Sequence, residues 1–237
     1  MDKVHAIAMK GYLSRFWQVA SALEDNGRFT CRWEDRLPCL DDARIETPFD
    51  AHYIYHTAWA ARILARTRPV SHVDIASSLY FVSIASGFVP ITFYDYRPAP
   101  LSICNLECKK ADIMNLPFED NSIQSLSCMH VVEHIGLERY GDTFDPQGDL
   151  KAMAELSRVL RPGGQLLFVV PVGGCARIQY NAHRIYRYRD ILLNFTELNV
   201  EEFSLVTDGS VFIPNASEDD AERQRYGCGC FLFKKPA

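Results

Sequence analysis

The sequence predicts an α/β protein built on a mostly parallel sheet, and three observations carry that expectation. From Val70 onward, short apolar runs alternate with helical segments, the pattern of a parallel sheet covered on both faces. The turn Arg161-Pro162-Gly163-Gly164 separates a helical segment from the apolar run QLLFVVPV. The last two apolar runs are joined by a polar loop with no helical pattern, which suits an antiparallel pair, because a parallel crossover needs a dozen or more residues and usually a helix.

Element by element, Gly11 to Asn26 reads as a short helix, and an irregular charged stretch follows through Cys31, Pro38 and Asp42. Together, residues 1–46 form a helical extension or lid ahead of an α/β domain spanning 47–237. Thr47 is placed to cap a helix with Pro48 at its first position, and the apolar spacing of FDAHYIYHTAWAARILART continues until Pro69 stops it. Strands are expected at Val70 to Ile75, Ile91 to Tyr96, Leu106 to Ala111, Ser125 to Val131 and over QLLFVVPV. Helices are expected from Ser78 to Gly87, from Gln147 to Leu160 ahead of the Gly163-Gly164 stop, and near Tyr188 to Phe195. VEEFSLVT and CGCFLFKK complete the sheet.

The 237 residues suffice for one core of this kind. A net charge of -5 disfavours gripping nucleic acid, which needs clustered Lys and Arg, and favours a small-molecule partner. No run approaches the roughly 18 to 20 apolar residues of a membrane-spanning helix, and MDKVHAIAMKGYLSRFW has no apolar signal core. The eight cysteines therefore read as reduced thiols of a cytoplasmic protein. Neither Cys104 with Cys108 nor Cys228 with Cys230 has the repeated two-residue spacing of a zinc site, so buried thiols, not metal ligands, are expected.

ADIMNLPFEDNSIQSLSCMHVVEHIG followed by ELSRVLRPGGQLLFVVPV resembles the central motifs of class I S-adenosylmethionine-dependent methyltransferases. HVVEHIGLERYGD, with NAHRIY and YGCGCFLF downstream, is similar to an uncharacterised methyltransferase-like family known only as a domain of unknown function. The likeness covers about Thr47 to Lys235. It implies a Rossmann-like, seven-stranded sheet with an antiparallel last strand, and S-adenosylmethionine across the carboxyl ends of strands one to four. Open parallel sheets bind ligands at that edge.

The resemblance assigns Asp74 to the acidic position of VDIASSLY, but Ala76, Ser78 and Tyr80 stand where the family carries glycines. A Cβ there costs stability or displaces the ligand, and Tyr80 is the least tolerable. Ser77 and Ser78 can bind a carboxylate at the helix amino terminus, or act only as caps. Asp95, at the end of strand two, sits where a carboxylate accepts ribose hydroxyls, or else pairs with Arg97. Asp112 resembles the residue that meets the adenine amino group, with Ile113 beside it; its alternative is an Asx-turn.

Methyl transfer to a hydroxyl needs a base, and HVVEHIGLERYGD gathers candidates beyond strand four. His134 is the first choice, oriented by Glu133, with Glu133 itself the second; both can instead shape the loop. His130, Arg139, Tyr140 and Asp142 are candidate substrate contacts, although His130 can equally be a wall residue. Asn181, His183, Arg184 and Tyr186 follow strand five; Arg184 suits a phosphate or carboxylate, or an acidic neighbour within the protein. His52, Tyr55, His56 and Trp59 share one helix face, which either closes over the acceptor or packs in the core. A saccharide or other metabolite hydroxyl is the expected acceptor. An isomerase or lyase using the His and Glu cluster without the cofactor, or a non-catalytic binding protein, are the competing readings.

Overall fold

A computed structural model describes residues 3–24 and 29–237. The chain divides into two compact units, Met1–Phe49 and Asp50–Ala237. In the first, helix α1 (Lys3–Glu24) starts eight residues before the expected Gly11, and the expected end at Asn26 lies outside the described residues. Among the described residues of the charged stretch after it, a 3-10 turn at Trp33–Asp35 is the one regular element.

The second unit opens on α2 (Ala51–Thr67), capped by Asp50 and not Thr47: the Asp50 carboxylate accepts from the Tyr53 backbone N–H at 3.2 Å. The cap thus lies three residues beyond the expected one, because Asp50 satisfies an orphan amide of the first turn. Then follow β1 (His72–Ile75), α3 (Leu79–Ala85), β2 (Ile91–Asp95), β3 (Leu106–Lys110), β4 (Ile123–Met129), α4 (Gly148–Val159) and β5 (Leu160–Val172). A hairpin of β6 (Arg177–Gln179) and β7 (His183–Ile185) leads to α5 (Tyr188–Asn194), β8 (Asn199–Val206), β9 (Phe212–Ile213), α6 (Glu218–Glu222) and β10 (Gly227–Lys234). The hairpin, β9 and α6 were not expected. All are short, and the periodicity of two to five residues is not readable in a sequence.

The main sheet runs β3-β2-β1-β4-β5-β10-β8-β9. β1 to β5 pair in parallel, while β10 is antiparallel to both β5 and β8, as expected for the last strand. The two-residue β9 adds an eighth strand at the edge of the expected seven. The chain runs outward from β1 to β3 and returns on the other side of β1 as β4. The carboxyl ends of β1 and β4 therefore flank a crevice, the place where such sheets bind ligands.

Alternation along β5 shows why the sheet is buried on both faces. Leu166, Phe168 and Val170 pack with Met153 and Leu156 of α4, whereas Leu167 and Val169 pack with Trp59, Ile63 and Leu64 of α2. Each fully buried Phe or Leu contributes about 1.5–3 kcal/mol. The Arg161–Gly164 turn does not follow a helix end directly. α4 stops at Val159, and the turn is an excursion within β5, where the pairing with β4 skips from Leu160 to Gln165 and Gly163 takes φ +73°.

Candidate active site

At the carboxyl ends of β1 to β4 lies a cavity of about 330 Å³, within the range that holds small molecules and cofactors. The turn after β1 contributes Ile75, Ala76, Ser77 and Ser78; the end of β2 contributes Tyr94, Asp95, Tyr96 and Arg97. The β3 end adds Ala111 to Met114, and the β4 end adds Met129, His130 and Val131. Farther on, His134, Ile135, Tyr140, Asp142 and Thr143 close it, with Tyr53 from α2.

The turn after β1 is shaped for close approach despite its missing glycines. Ala76 takes φ 53°, the left-handed conformation in which glycine is at ease, and its amide donates to Tyr94 O at 2.7 Å. Tyr80, expected to obstruct the loop, stands on the outer side of α3 at 86% exposure, away from the cavity. His130 also has a positive φ, 57°. Two strained non-glycine residues thus lie on the cavity wall, where such conformations tend to concentrate.

Asp74 lies beneath this turn and holds it; it does not line the cavity. Fully buried, it accepts the Ser77 backbone N–H at 3.0 Å and the Ser127 hydroxyl. One ordered chain of donors explains the whole cluster: Gln165 Nε2 donates to Ser125 Oγ (3.0 Å), and Ser125 to His72 Nδ1 (2.8 Å). His72 Nε2–H then donates to Ser127 Oγ (2.8 Å), and Ser127 to Asp74. Burial alone pulls His72 down to about 3, so the ring is neutral, and burial pushes Asp74 up to about 6 against the pull of the Ser127 and Ser77 hydrogen bonds. Ser77 is likewise committed, its Oγ accepting from the Met129 amide at 3.0 Å and tying the turn to β4. Ser78 precedes α3 without a side-chain cap bond, which leaves its hydroxyl at the cavity wall.

Asp95 and Asp112 both line the cavity, each using one oxygen locally. Asp95 Oδ1 accepts from the Arg97 amide (2.7 Å) and Asp112 Oδ1 from the Met114 amide (2.9 Å), the Asx-turn foreseen as its alternative. Their second oxygens have no hydrogen-bond partner among the described residues. Ile113, buried, forms an apolar floor beside Asp112.

Beyond β4, residues Val132–His134 form a 3-10 turn. His134 Nδ1 donates to Ala182 O (2.6 Å), a carbonyl that also accepts from Arg139 Nη1 (2.8 Å), so Nε2 carries the lone pair. The orienting group is thus the Ala182 carbonyl; the Glu133 carboxylate, expected in that role, stands 3.8 Å from Nε2. Burial lowers the His134 pKa below its usual value and so favours the neutral ring, opposed chiefly by the Glu133 carboxylate. Glu133 is buried beneath the cavity and accepts from His130 Nδ1–H at 2.8 Å; burial pushes it up to about 7 and pulls His130 down to about 4.

The remaining expected contacts divide. Tyr140 lines the cavity edge-on to His134, with ring centroids 5.5 Å apart. Asp142 lines it too, but both its oxygens accept backbone amides, from Gly136 (2.8 Å) and Tyr140 (3.2 Å), so it shapes the loop. Arg139 is held at the Ala182 carbonyl, outside the cavity lining. Arg184, proposed for an anion, is buried, donates to Ile135 O at 2.7 Å and pairs with Asp149 at 3.5 Å, which Tyr186 also contacts. His183 stacks on Tyr226 (4.9 Å) and hydrogen-bonds Gln179 at 2.7 Å, away from the cavity. On α2, Trp59 packs in the core and donates to Glu202 at 2.8 Å. His52 and His56 lie behind His130, with ring centroids 5.6 Å and 5.1 Å from it, and neither lines the cavity.

Tyr53, Tyr94, Tyr96 and Arg97 were missed. The last three flank Asp95 in sequence, a signal that could have found them; Tyr53 reaches the cavity from an element distant in sequence. Also missed was the approach of Cys228 to His130, Sγ to Nε2 3.4 Å. With His52 these residues bring one ligand-type atom each within 4.8 Å of one another.

Residues 115–212 match a family described as Caenorhabditis protein of unknown function, DUF268. The uncharacterized protein MJ0638 of Methanocaldococcus jannaschii is 28% identical over 106 residues, 44% of this chain and 41% of that one. The chain thus spans about two fifths of the length of that curated relative. Among solved structures, a chain of the Haloferax volcanii complex between the Trm112 methyltransferase activator and a methyltransferase aligns with TM-score 0.52 and 22% identity, over 79% of this chain and 91% of that one. The [4+2]-cyclase SpnF gives TM-score 0.56, 15% identity and coverages of 76% and 82%. The 1,6-didemethyltoxoflavin-N1-methyltransferase of Burkholderia thailandensis, solved with S-adenosylhomocysteine, gives 0.54, 11%, 81% and 94%. The chain thus has the Rossmann-like fold of these class I methyltransferase structures, and its residues 115–212 match a family of unknown function.

Proposed function

We propose that this protein is an S-adenosylmethionine-dependent methyltransferase acting on a hydroxyl of a small molecule, with saccharide hydroxyls the first class to test. The observation that carries the reading is the cavity itself: Asp95 and Asp112, at the ends of adjacent strands, each keep one carboxylate oxygen for a ligand, and His134 stands in the same wall. The residues fit the cofactor. Ala76 already holds the left-handed conformation of the turn, and Tyr80 is outside. Asp95 would accept the ribose hydroxyls, Asp112 and Ile113 would hold the adenine, and Ser78 would meet the carboxylate.

When bound, the cofactor supplies an electrophilic methyl group. His134 takes the acceptor's hydroxyl proton at Nε2, its Nδ1–H remaining on the Ala182 carbonyl. Tyr140 and Tyr53 border the space and limit water around the acceptor. The eight free cysteines support a reducing, cytoplasmic setting. Among the described residues no helix is long and apolar enough to cross a membrane.

The test is methyl transfer from labelled S-adenosylmethionine to a panel of saccharides and small alcohols, with His134→Gln as control. Transfer that falls by about 10²-fold or more in the variant supports the reading. No cofactor binding, with turnover of a saccharide that His134→Gln abolishes, favours a lyase or isomerase working without the cofactor; the [4+2]-cyclase SpnF has a similar fold. No binding, no transfer and no turnover favours a non-catalytic role.

A further inference from the structure

We infer that His52, His130 and Cys228 form a binding site for a divalent transition-metal ion of zinc type, on the side of His130 away from Glu133. The ligand atoms of the three residues lie within 4.8 Å of one another, and the Cys228 thiol stands 3.4 Å from His130 Nε2. Two imidazoles and a thiolate are a donor set suited to zinc, and three protein ligands leave a coordination position for water or a substrate atom.

The surroundings repeat what metal-binding imidazoles need: the nitrogen not used for the metal must be held. His130 Nδ1–H donates to the buried Glu133 carboxylate at 2.8 Å, which fixes the ring with its Nε2 lone pair toward Cys228. The His52 ring is held by stacking between His130 and Tyr226. His130 also takes a left-handed backbone at the end of β4, the kind of strained conformation that concentrates at functional sites. A second observation points the same way: His56 Nε2, on a ring 5.1 Å from that of His130, is buried with no hydrogen-bond partner. Its Nδ1–H is spent on His52 O at 2.6 Å, so its Nε2 lone pair is left unmatched beside the cluster.

Without metal the thiol proton of Cys228 occupies the space between sulfur and His130 Nε2. On binding, the thiol releases that proton to solvent and the ion takes its place between thiolate and imidazole. Cys230, with its sulfur 3.9 Å from that of Cys228, is the nearest further soft donor.

The experiment uses the full chain stripped with chelator and titrated with Zn²⁺ alone against a chromophoric competitor, and separately with Co²⁺. One equivalent of Zn²⁺ should bind with sub-micromolar affinity, and Co²⁺ should give a thiolate-to-metal charge-transfer band. Cys228→Ser should abolish the band, and His130→Asn should weaken Zn²⁺ by at least 100-fold. Glu133→Gln, which keeps the ring's neighbour but not its charge, should weaken it by about 10- to 100-fold. Cys104→Ser, at an exposed cysteine, should change neither readout. Absence of the charge-transfer band in folded wild-type protein, or affinity unaltered in folded Cys228→Ser, overturns the assignment. Since the wild-type band is itself decisive, a variant that does not fold leaves the test intact. Cofactor binding is measured separately, so either reading can fail alone.

Discussion

Ser127→Ala probes the device that holds the turn after β1. The Ser127 hydroxyl sits between His72 Nε2–H, at 2.8 Å, and the Asp74 carboxylate, both fully buried. Removing it strands one donor and one acceptor where no water reaches, at about 1–3 kcal/mol each, so a loss of about 3 kcal/mol is expected. In a domain of this size that lowers the melting temperature by about 6–12 °C. The loss also depends on pH. Asp74 is pushed up to about 6 by burial, so below the ordinary carboxylate pKa it is protonated in both states and costs nothing. As pH rises through 6 the folded state must ionise a buried group, and stability falls. The Ser127 hydrogen bond favours the ionised form; without it that ionisation moves higher and the variant's deficit grows from pH 5.5 to pH 8. Thermal melts by circular dichroism at the two pH values, beside wild type, measure both quantities. A deficit under about 1 kcal/mol, or one equal at both pH values, refutes the donor chain from Gln165 to Asp74.

Asp95→Ala should weaken S-adenosylhomocysteine by about 10- to 100-fold, the worth of hydrogen bonds to a charged acceptor, while costing the free protein only the bond to the Arg97 amide, about 0.5–1.5 kcal/mol. Ala76→Gly relieves a left-handed alanine and should raise stability by about 0.5–1 kcal/mol, with affinity within about twofold, as chemical denaturation and calorimetry would show. Gly136→Ala should cost about 2–4 kcal/mol in a melt, since φ is +77° and an added Cβ would lie 2.0 Å from Asp145 O. Because burial lowers the His134 pKa and the base must be neutral, kcat/KM should be flat above pH 7 and fall only below the ordinary histidine range. In His134→Gln that acid limb should vanish with most of the rate.

The sheet was legible in the sequence because its strands are long apolar runs whose alternating residues feed two cores, as Phe168 and Val169 do. The helix cap was read three residues early because Thr47 and Asp50 are both good caps, and only the fold chooses between them. That Asp95 and Asp112 line the cavity was readable from their position at strand ends. That Asp74, Asp142 and Arg184 spend their side chains on the protein itself was not, since a polar residue near a cavity looks the same in sequence whichever way it faces. Asp142 satisfies the amides of Gly136 and Tyr140, and Arg184 the carbonyl of Ile135. The meeting of His52, His130 and Cys228 escaped because it joins α2, the end of β4 and β10, elements that only the sheet order brings together.

The cavity's purpose is tested most directly by isothermal calorimetry of S-adenosylhomocysteine into folded, cofactor-free protein, with Asp95→Ala in parallel. Saturable binding with a Kd on the order of 1 μM, or about 8 kcal/mol, weakened by the substitution, is the expected result. No saturable binding to wild type, or binding that Asp95→Ala leaves unchanged, would contradict it.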